Sequence, residues 1–104
     1  RNLYDSEYRK ALNNGFCEVI FTNKKGELTE GAISNIFILK DGIYFTPPVS
    51  AGLLDGIYRR YFIKTNRKKI VEKSLFLQDL IKADKIFICN SVRGLFPVTL
   101  MLPE

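Results

Sequence analysis

The stretch KIFICN, residues 85–90, limits the fold more than any other part of the chain. Its central residues Ile86, Phe87, Ile88 and Cys89 are apolar without alternation. As a strand it is therefore apolar on both faces. Such a strand belongs inside a sheet that carries a layer on each side. A chain of 104 residues has room for one such sheet in one small domain. A domain of this size buries roughly 65% of its unfolded surface, enough for a modest core.

The rest of the chain supplies partners for that strand. NIFIL (35–39), the turn KDG (40–42) and IYFT (43–46) read as a hairpin, which Pro47-Pro48 must stop. EVIFT (18–22) reads as a strand, NKKG (23–26) as a turn, and ELTE (27–30) as the return. KIVEK (69–73) is one more short strand. Leu3, Tyr4, Tyr8, Ala11 and Leu12 recur at helical spacing, which predicts a helix over 2–13 ending at Asn14-Gly15. Asp55-Gly56 opens a second helix over about 56–66. Ser74 is a reasonable N-cap for a third over 75–83. VSAGLL (49–54) and SVRGLFPV (91–98) read as loops, and VTLMLPE (98–104) as a last strand. The expected architecture is α+β (mixed α/β), one mixed sheet flanked by helices.

Composition removes several function classes. The chain has no histidine, which excludes a Ser-His-Asp triad, a Cys-His pair and most zinc sites within it. The net charge is +5, but the lysines of NRKK (66–69) and NKK (23–25) fall in turns with no interleaved aromatics to stack on bases. They read as solvated turns, so no nucleic-acid partner is expected. Cys17 and Cys89 each sit in an apolar run without disulfide or metal spacing. Both are expected to be small buried hydrophobes, in keeping with a reducing cytoplasm. No stretch of about 18 apolar residues is present, so no membrane span is expected. RNLYDSEYRK is polar throughout and does not read as a signal peptide. The sequence opens without methionine inside a helical pattern, which points to a fragment of a longer chain.

Three places join a turn of the chain to groups that bind charge. The first is Glu30 with its small-residue corner Gly31, Ala32, Ile33, Ser34 and Asn35. The second is LLDGIYRR (53–60), where a glycine opens a helix and the free N–H groups and positive dipole end suit a phosphate. The third is CNSVRG (89–94), a buried strand running into a hydroxyl, an arginine and a glycine, where free backbone N–H groups suit an anion. Each alone is usually no more than a surface carboxylate, a helix cap or a plain loop.

Taken together and in order, TEGAISNIFILKDG, TPPVSAGLLDGIYRR and CNSVRGLFPV resemble the class IV aminotransferases. These are the fold-type IV pyridoxal-phosphate enzymes: branched-chain and D-amino-acid aminotransferases and aminodeoxychorismate lyase. The resemblance runs from Tyr4 to about Val98. CNSVRGL and EGAISNIF most resemble the lyase-like domain at the C-terminus of some para-aminobenzoate synthase component I chains. The resemblance implies pyridoxal 5'-phosphate as cofactor, a dimer, and the C-terminal part of the large domain.

It also implies roles. Glu30 matches the glutamate facing the pyridine nitrogen, where an opposite charge favours the protonated ring. Ile57 and Tyr58, just after Gly56, match residues whose N–H groups hold the phosphate at the helix start. Leu54 matches the apolar residue packed on one face of the ring. Ser91 and Val92 match the second phosphate corner, and Ser34 and Asn35 match residues that shape the wall around the glutamate. Arg93 matches no single family-wide role; as a guanidinium at the mouth of the site it could pair with a substrate carboxylate or form a structural ion pair. Asp55 departs from the proline or asparagine common in relatives, and its charge falls near the expected phosphate. Tyr58 stands where many relatives have threonine, so only the backbone contact carries over.

The family's Schiff-base lysine matches a position upstream of Arg1, and none of the ten lysines stands in its place. The chain thus resembles about half of an active site, and alone it is expected to be inactive. Where the missing half belongs, an apolar groove lined by Leu54, Ile57 and Phe96 is expected. The implied activity is a lyase making 4-aminobenzoate and pyruvate in folate synthesis. The alternatives are an amino-acid aminotransferase of the same fold and a non-catalytic basic binding module.

Overall fold

The computed structural model describes residues 2–102. Helix α1 spans Asn2–Asn13. It ends in a left-handed cap, with Gly15 at φ 84°. The Phe16 N–H donates to the Ala11 carbonyl and the Gly15 N–H to the Leu12 carbonyl, which satisfies carbonyls that the helix leaves open. The chain then forms an antiparallel ribbon from β1 (Ile20–Thr22) and β2 (Leu28–Gly31). Asn23 organises the turn between them. Its carboxamide oxygen accepts from the Lys25 and Glu27 N–H groups, and its nitrogen donates to Glu27 and to the Ala51 carbonyl.

The main sheet has five strands in the order β5-β4-β3-β6-β7. β3 (Asn35–Lys40) and β4 (Ile43–Thr46) form the expected hairpin. Asp41 and Gly42 both take positive φ in its two-residue turn, the geometry that matches strand twist. β5 (Ile70–Glu72) runs parallel to β4. β6 (Lys85–Asn90) and β7 (Gly94–Val98) extend the other side antiparallel. The sheet is mixed, as expected, and the β1–β2 ribbon stands apart from it as a second ladder.

Alternation along β3 sends its side chains to two layers. Ile36 and Ile38 point to one side and join Leu28, Leu75 and Leu80, with Phe45 and Ile86 packed against them. Phe37 points to the other, where it meets Phe62 of α2 (Ile57–Thr65) edge-on at 5.1 Å. Tyr44 and Phe87 continue that aromatic layer. KIFICN is thus covered on both sides at its end nearest the site, where Ile88 and Cys89 are buried, while Lys85 is exposed.

Several boundaries differ from the sequence reading. Helix α3 covers only Leu77–Lys82. Leu75 is extended because its carbonyl accepts from the Leu28 N–H at 2.7 Å and its side chain is core. Phe76 therefore takes the N-cap position in place of Ser74, and Asp79 accepts from the Phe76 N–H. Ser74 instead bonds Glu27, which together with Asn23 holds that carboxyl below its usual range. The expected loop 91–98 is mostly strand β7. Asn90 accepts from the Val92 and Arg93 N–H groups and Gly94 turns the chain at φ 71°. Pro97 is tolerated there because β7 is an edge. Residues 99–102 form no strand; the end of the expected last strand lies outside the described residues. Cys17 is exposed and not buried, since it lies between the helix cap and the first ribbon residue.

Candidate active site

The three charge-binding places converge on one cavity of about 380 Å³. β2, the corner leading into β3 and the buried end of β6 supply its floor, and the start of α2 its wall. Glu30, Ser34, Asn35, Leu54, Gly56, Ile57, Tyr58 and Ser91 all line it, with Asp55 and Cys89 beside them.

Glu30 is 5% exposed. It sits on β2, a short strand whose residues are all buried. Its Oε1 accepts from the Leu54 N–H at 3.0 Å and its Oε2 from the Tyr4 hydroxyl at 3.1 Å. The carboxylate is thus aimed by two elements distant in sequence. Tyr4 was legible only as an apolar position of α1. Its ring stacks on Phe21 of β1 at 3.9 Å between centroids, which fixes the hydroxyl. A tyrosine at helical spacing carries no sign of such a contact; the pairing emerges only when α1 packs on the ribbon.

Asn35, the first residue of β3, donates from Nδ2 to the Leu54 carbonyl at 2.8 Å. It holds the loop that leads into α2. Gly56 caps α2 with extended backbone and no side-chain hydrogen bond. Glycine is needed because a Cβ there would lie 2.5 Å from Asn35 Oδ1. With no side chain capping it, the first turn of α2 presents N–H groups and a positive dipole end to the cavity. The chain around that turn is apolar and open: Leu54 and Ile57 are 66% and 69% exposed.

Asp55 does not turn its charge toward those N–H groups. Arg59, itself 3% exposed, binds it at 2.8 Å and also binds Glu72 at 2.7 Å and the Pro47 carbonyl at 3.0 Å. Arg60 approaches the other oxygen at 3.9 Å. Asp55 still lines the cavity, but its charge is paired with these arginines.

Three residues expected at the site are not among those lining the cavity. Val92 is not in the wall of the cavity; its side chain is 92% exposed and its N–H is engaged by Asn90. Arg93 also lies outside the wall, with its guanidinium over the Phe96 ring at 5.7 Å. The turn points both residues away because Asn90 draws their N–H groups inward. Phe96 is partly buried beneath Arg93, so the apolar rim is Ile33, Leu54 and Ile57 without it. Ser34 lines the cavity but its hydroxyl is engaged by Glu18 at 2.7 Å.

Cys89 closes the floor beside Asn35, fully buried. Burial pushes its thiol up to about 11, so it is neutral across the working range and offers no nucleophile. No lysine is among the residues lining the cavity, and the described residues contain no cluster able to hold a metal. No helix of the described residues is long and apolar enough to cross a membrane.

A buried carboxylate facing a bare helix N-terminus across an open cavity suits a flat ligand with a cationic end and an anionic end. Known proteins share this chain's sequence and fold. A protein provisionally named branched-chain-amino-acid aminotransferase from Methanocaldococcus jannaschii is 39% identical over 87 residues, covering 81% of this chain and 30% of that protein. A Brucella abortus aminotransferase, solved with its cofactor pyridoxal phosphate, superposes with a TM-score of 0.83 at 31% identity over 91% of this chain and 35% of that one. A Legionella pneumophila protein provisionally named 4-amino-4-deoxychorismate lyase gives a TM-score of 0.84 at 28% identity, over 91% of this chain and 37% of that one. The chain thus spans about a third of the length of the proteins it matches. The sequence profile of one family matches residues 1–101, and on that match the chain belongs to the class IV aminotransferases, which use pyridoxal phosphate.

Proposed function

We propose that the chain is the C-terminal, cofactor-holding part of a 4-amino-4-deoxychorismate lyase, which releases 4-aminobenzoate and pyruvate. It would act in folate synthesis as part of a cytoplasmic para-aminobenzoate synthase component I chain, as a dimer. The observation that carries this is the pairing of Glu30, 5% exposed, with the uncapped start of α2 across one cavity. CNSVRGL and EGAISNIF favour the lyase branch of the family, in line with the fold likeness to the Legionella protein.

The residues present fit pyridoxal phosphate. The Ile57 and Tyr58 N–H groups and the Ser91 hydroxyl suit its phosphate. Leu54 would cover one ring face and Glu30 suits the pyridinium. When bound, the cofactor supplies an electron sink for a substrate carbanion. Glu30 serves that sink by keeping a negative charge at a fixed place, since a strand cannot swing away as a loop can. Arg59 keeps the Asp55 carboxylate off the phosphate end. The rim of Ile33, Leu54 and Ile57 is half to two-thirds exposed, so it offers apolar area that further protein surface would have to cover before water is kept from the ring.

A second reading is a branched-chain or D-amino-acid aminotransferase. The aliphatic rim and the identity to the M. jannaschii protein favour it. The two readings separate by assay of the full-length protein. The lyase reading expects release of 4-aminobenzoate from aminodeoxychorismate at least about a hundredfold faster than transamination of leucine or D-alanine with 2-oxoglutarate. The reverse ratio selects the second reading. Neither activity, with a residue other than lysine just ahead of Arg1, overturns both.

A further inference from the structure

We infer that Glu18 is the positioning residue of this site: its carboxylate fills the anion nest of the corner 31–34 and so sets where Glu30 and Asn35 stand. The inference rests on the reading of Glu30 as ring partner and extends it to a residue outside the cavity wall.

Four donors converge on Glu18. Its Oε1 accepts from the Val19 and Ala32 N–H groups, each at 2.9 Å. Its Oε2 accepts from the Ile33 N–H at 3.2 Å and the Ser34 hydroxyl at 2.7 Å. Successive backbone N–H groups in a tight corner form a concavity that attracts an anion, and bonds to a charged acceptor are stronger than neutral ones. Here the anion is a side chain of the same molecule. The corner is shut on it: the Gly31 N–H donates to the Ser34 carbonyl at 2.8 Å. A Cβ at Gly31 would lie 2.6 Å from Glu18 Cδ, from Glu18 Oε2 and from Ser34 Oγ. Glycine is thus required at 31 for room, because its neighbours are pinned and cannot swing aside.

The corner is the link between the two ends of the site. Glu30 precedes it directly and Asn35 follows it directly. Asn35 holds the Leu54 carbonyl, and the Leu54 N–H returns to Glu30. Glu30, the corner, Asn35 and Leu54 therefore close a ring of bonds, with Glu18 at its outer side. Glu18 is not among the residues lining the cavity, so it acts through this ring and not on a ligand. Without the carboxylate, three backbone N–H groups and a hydroxyl lose their acceptor, and the corner must reopen to find others. A misplacement of about 1 Å at a reacting centre costs roughly a hundredfold in rate.

The test uses full-length enzyme with Glu18→Gln, which keeps the shape but puts an amide donor among donors. Amide exchange at Ala32 and Ile33 is expected to accelerate at least about tenfold, with Ile36 and Ile38 unchanged. Turnover at full cofactor occupancy is expected to fall roughly 10- to 100-fold, with KM changed less than about threefold. The pH titration of the bound cofactor's absorbance is expected to move in the same direction as in Glu30→Gln. Gly31→Ala keeps the charge but displaces it, and the same three changes are expected; it carries the test if Glu18→Gln folds poorly. Unchanged exchange at Ala32 and Ile33 overturns the inference, as does faster exchange with wild-type turnover and titration. Wild-type turnover in Glu30→Gln removes the ring-partner reading instead, and the exchange data then decide separately whether Glu18 holds the corner.

Discussion

The floor and the rim of the cavity are built in opposite ways. On the floor, Glu30, Ser34 and Asn35 are each less than a tenth exposed, and each has a named hydrogen-bond partner. At the rim, Leu54 and Ile57 are about two-thirds exposed and the start of α2 has no side-chain cap. The floor fixes one charge in space. The rim offers apolar area and unfilled backbone donors. A site of this kind keeps its electrostatics rigid and leaves its open side to whatever ligand and further protein surface complete it.

The largest expected effect lies on the floor. In the full-length enzyme, Glu30→Gln is expected to fold and bind the cofactor, because the amide oxygen can still accept from the Leu54 N–H. Turnover is expected to drop roughly 10²–10⁴-fold. A buried charge that loses its partner costs about 3–5 kcal/mol, and each 1.36 kcal/mol in the barrier is about tenfold in rate. The measurement is kcat with occupancy checked by absorbance. Retention of more than about a tenth of wild-type turnover would break the contrast, since the floor charge would then be idle.

Cys89 tests how dry the floor is. Its thiol is pushed up to about 11 by burial, against an ordinary value of 9.0. The folded form is therefore favoured fully below about pH 9, and that contribution is lost as pH rises toward 11. Two units correspond to about 2–3 kcal/mol. Urea unfolding of the wild type is expected to show a stability loss of that order between pH 9 and 11 that Cys89→Ala lacks. In the same enzyme iodoacetamide should label the exposed Cys17 and spare Cys89 until unfolding. Equal labelling of both thiols in the native state would mean a wet floor.

Gly56→Ala tests where floor and rim meet. The new Cβ would press on Asn35 Oδ1, and Asn35 cannot yield without dropping the Leu54 carbonyl. Crowding of this kind costs about 1–3 kcal/mol, so cofactor affinity is expected to weaken about tenfold. Wild-type affinity by fluorescence titration would show that the rim moves independently of Asn35.

The same contrast governs what the sequence disclosed. Elements with strong periodicity or turn chemistry were legible: α1, the β3–β4 hairpin and the buried strand β6. That Glu30, Ser34 and Asn35 belong together was suggested only by the family resemblance, since a carboxylate at a strand end and a small-residue corner carry no such sign by themselves. Leu75 was misread as helical because a long-range bond to Leu28 overrides its local preference. β7 was misread as loop because Asn90 side-chain bonds make the turn, and a Gly-Pro stretch hides an edge strand. Val92 and Arg93 lie outside the cavity wall, and residue type gave no sign of this because turn geometry decides which way they point. Glu18 was within reach, since the ribbon register that pairs Ile20 with Gly31 carries a residue two places earlier to the corner. A glutamate at the head of an apolar run gives no local hint of this.

The smallest expected effect comes from a charge on the same ribbon but outside the cavity. Lys25 sits in the β1–β2 turn, exposed, with its N–H held by Asn23. Its ammonium contributes weakly to the low value of the Glu27 carboxyl, after the Ser74 and Asn23 bonds. The turn is therefore built by Asn23 and not by the lysine charge. A solvated charge of this kind contributes at most about 1 kcal/mol and is screened by salt. Lys25→Gln is expected to change turnover and cofactor affinity by less than about twofold, at low and at physiological ionic strength alike. Glu30 and Lys25 stand on one two-stranded ribbon, one aimed into the cavity and one into water. A loss of turnover in Lys25→Gln approaching that of Glu30→Gln would show that the ribbon transmits any perturbation to the site. The burial and aim of Glu30 would then no longer account for its weight.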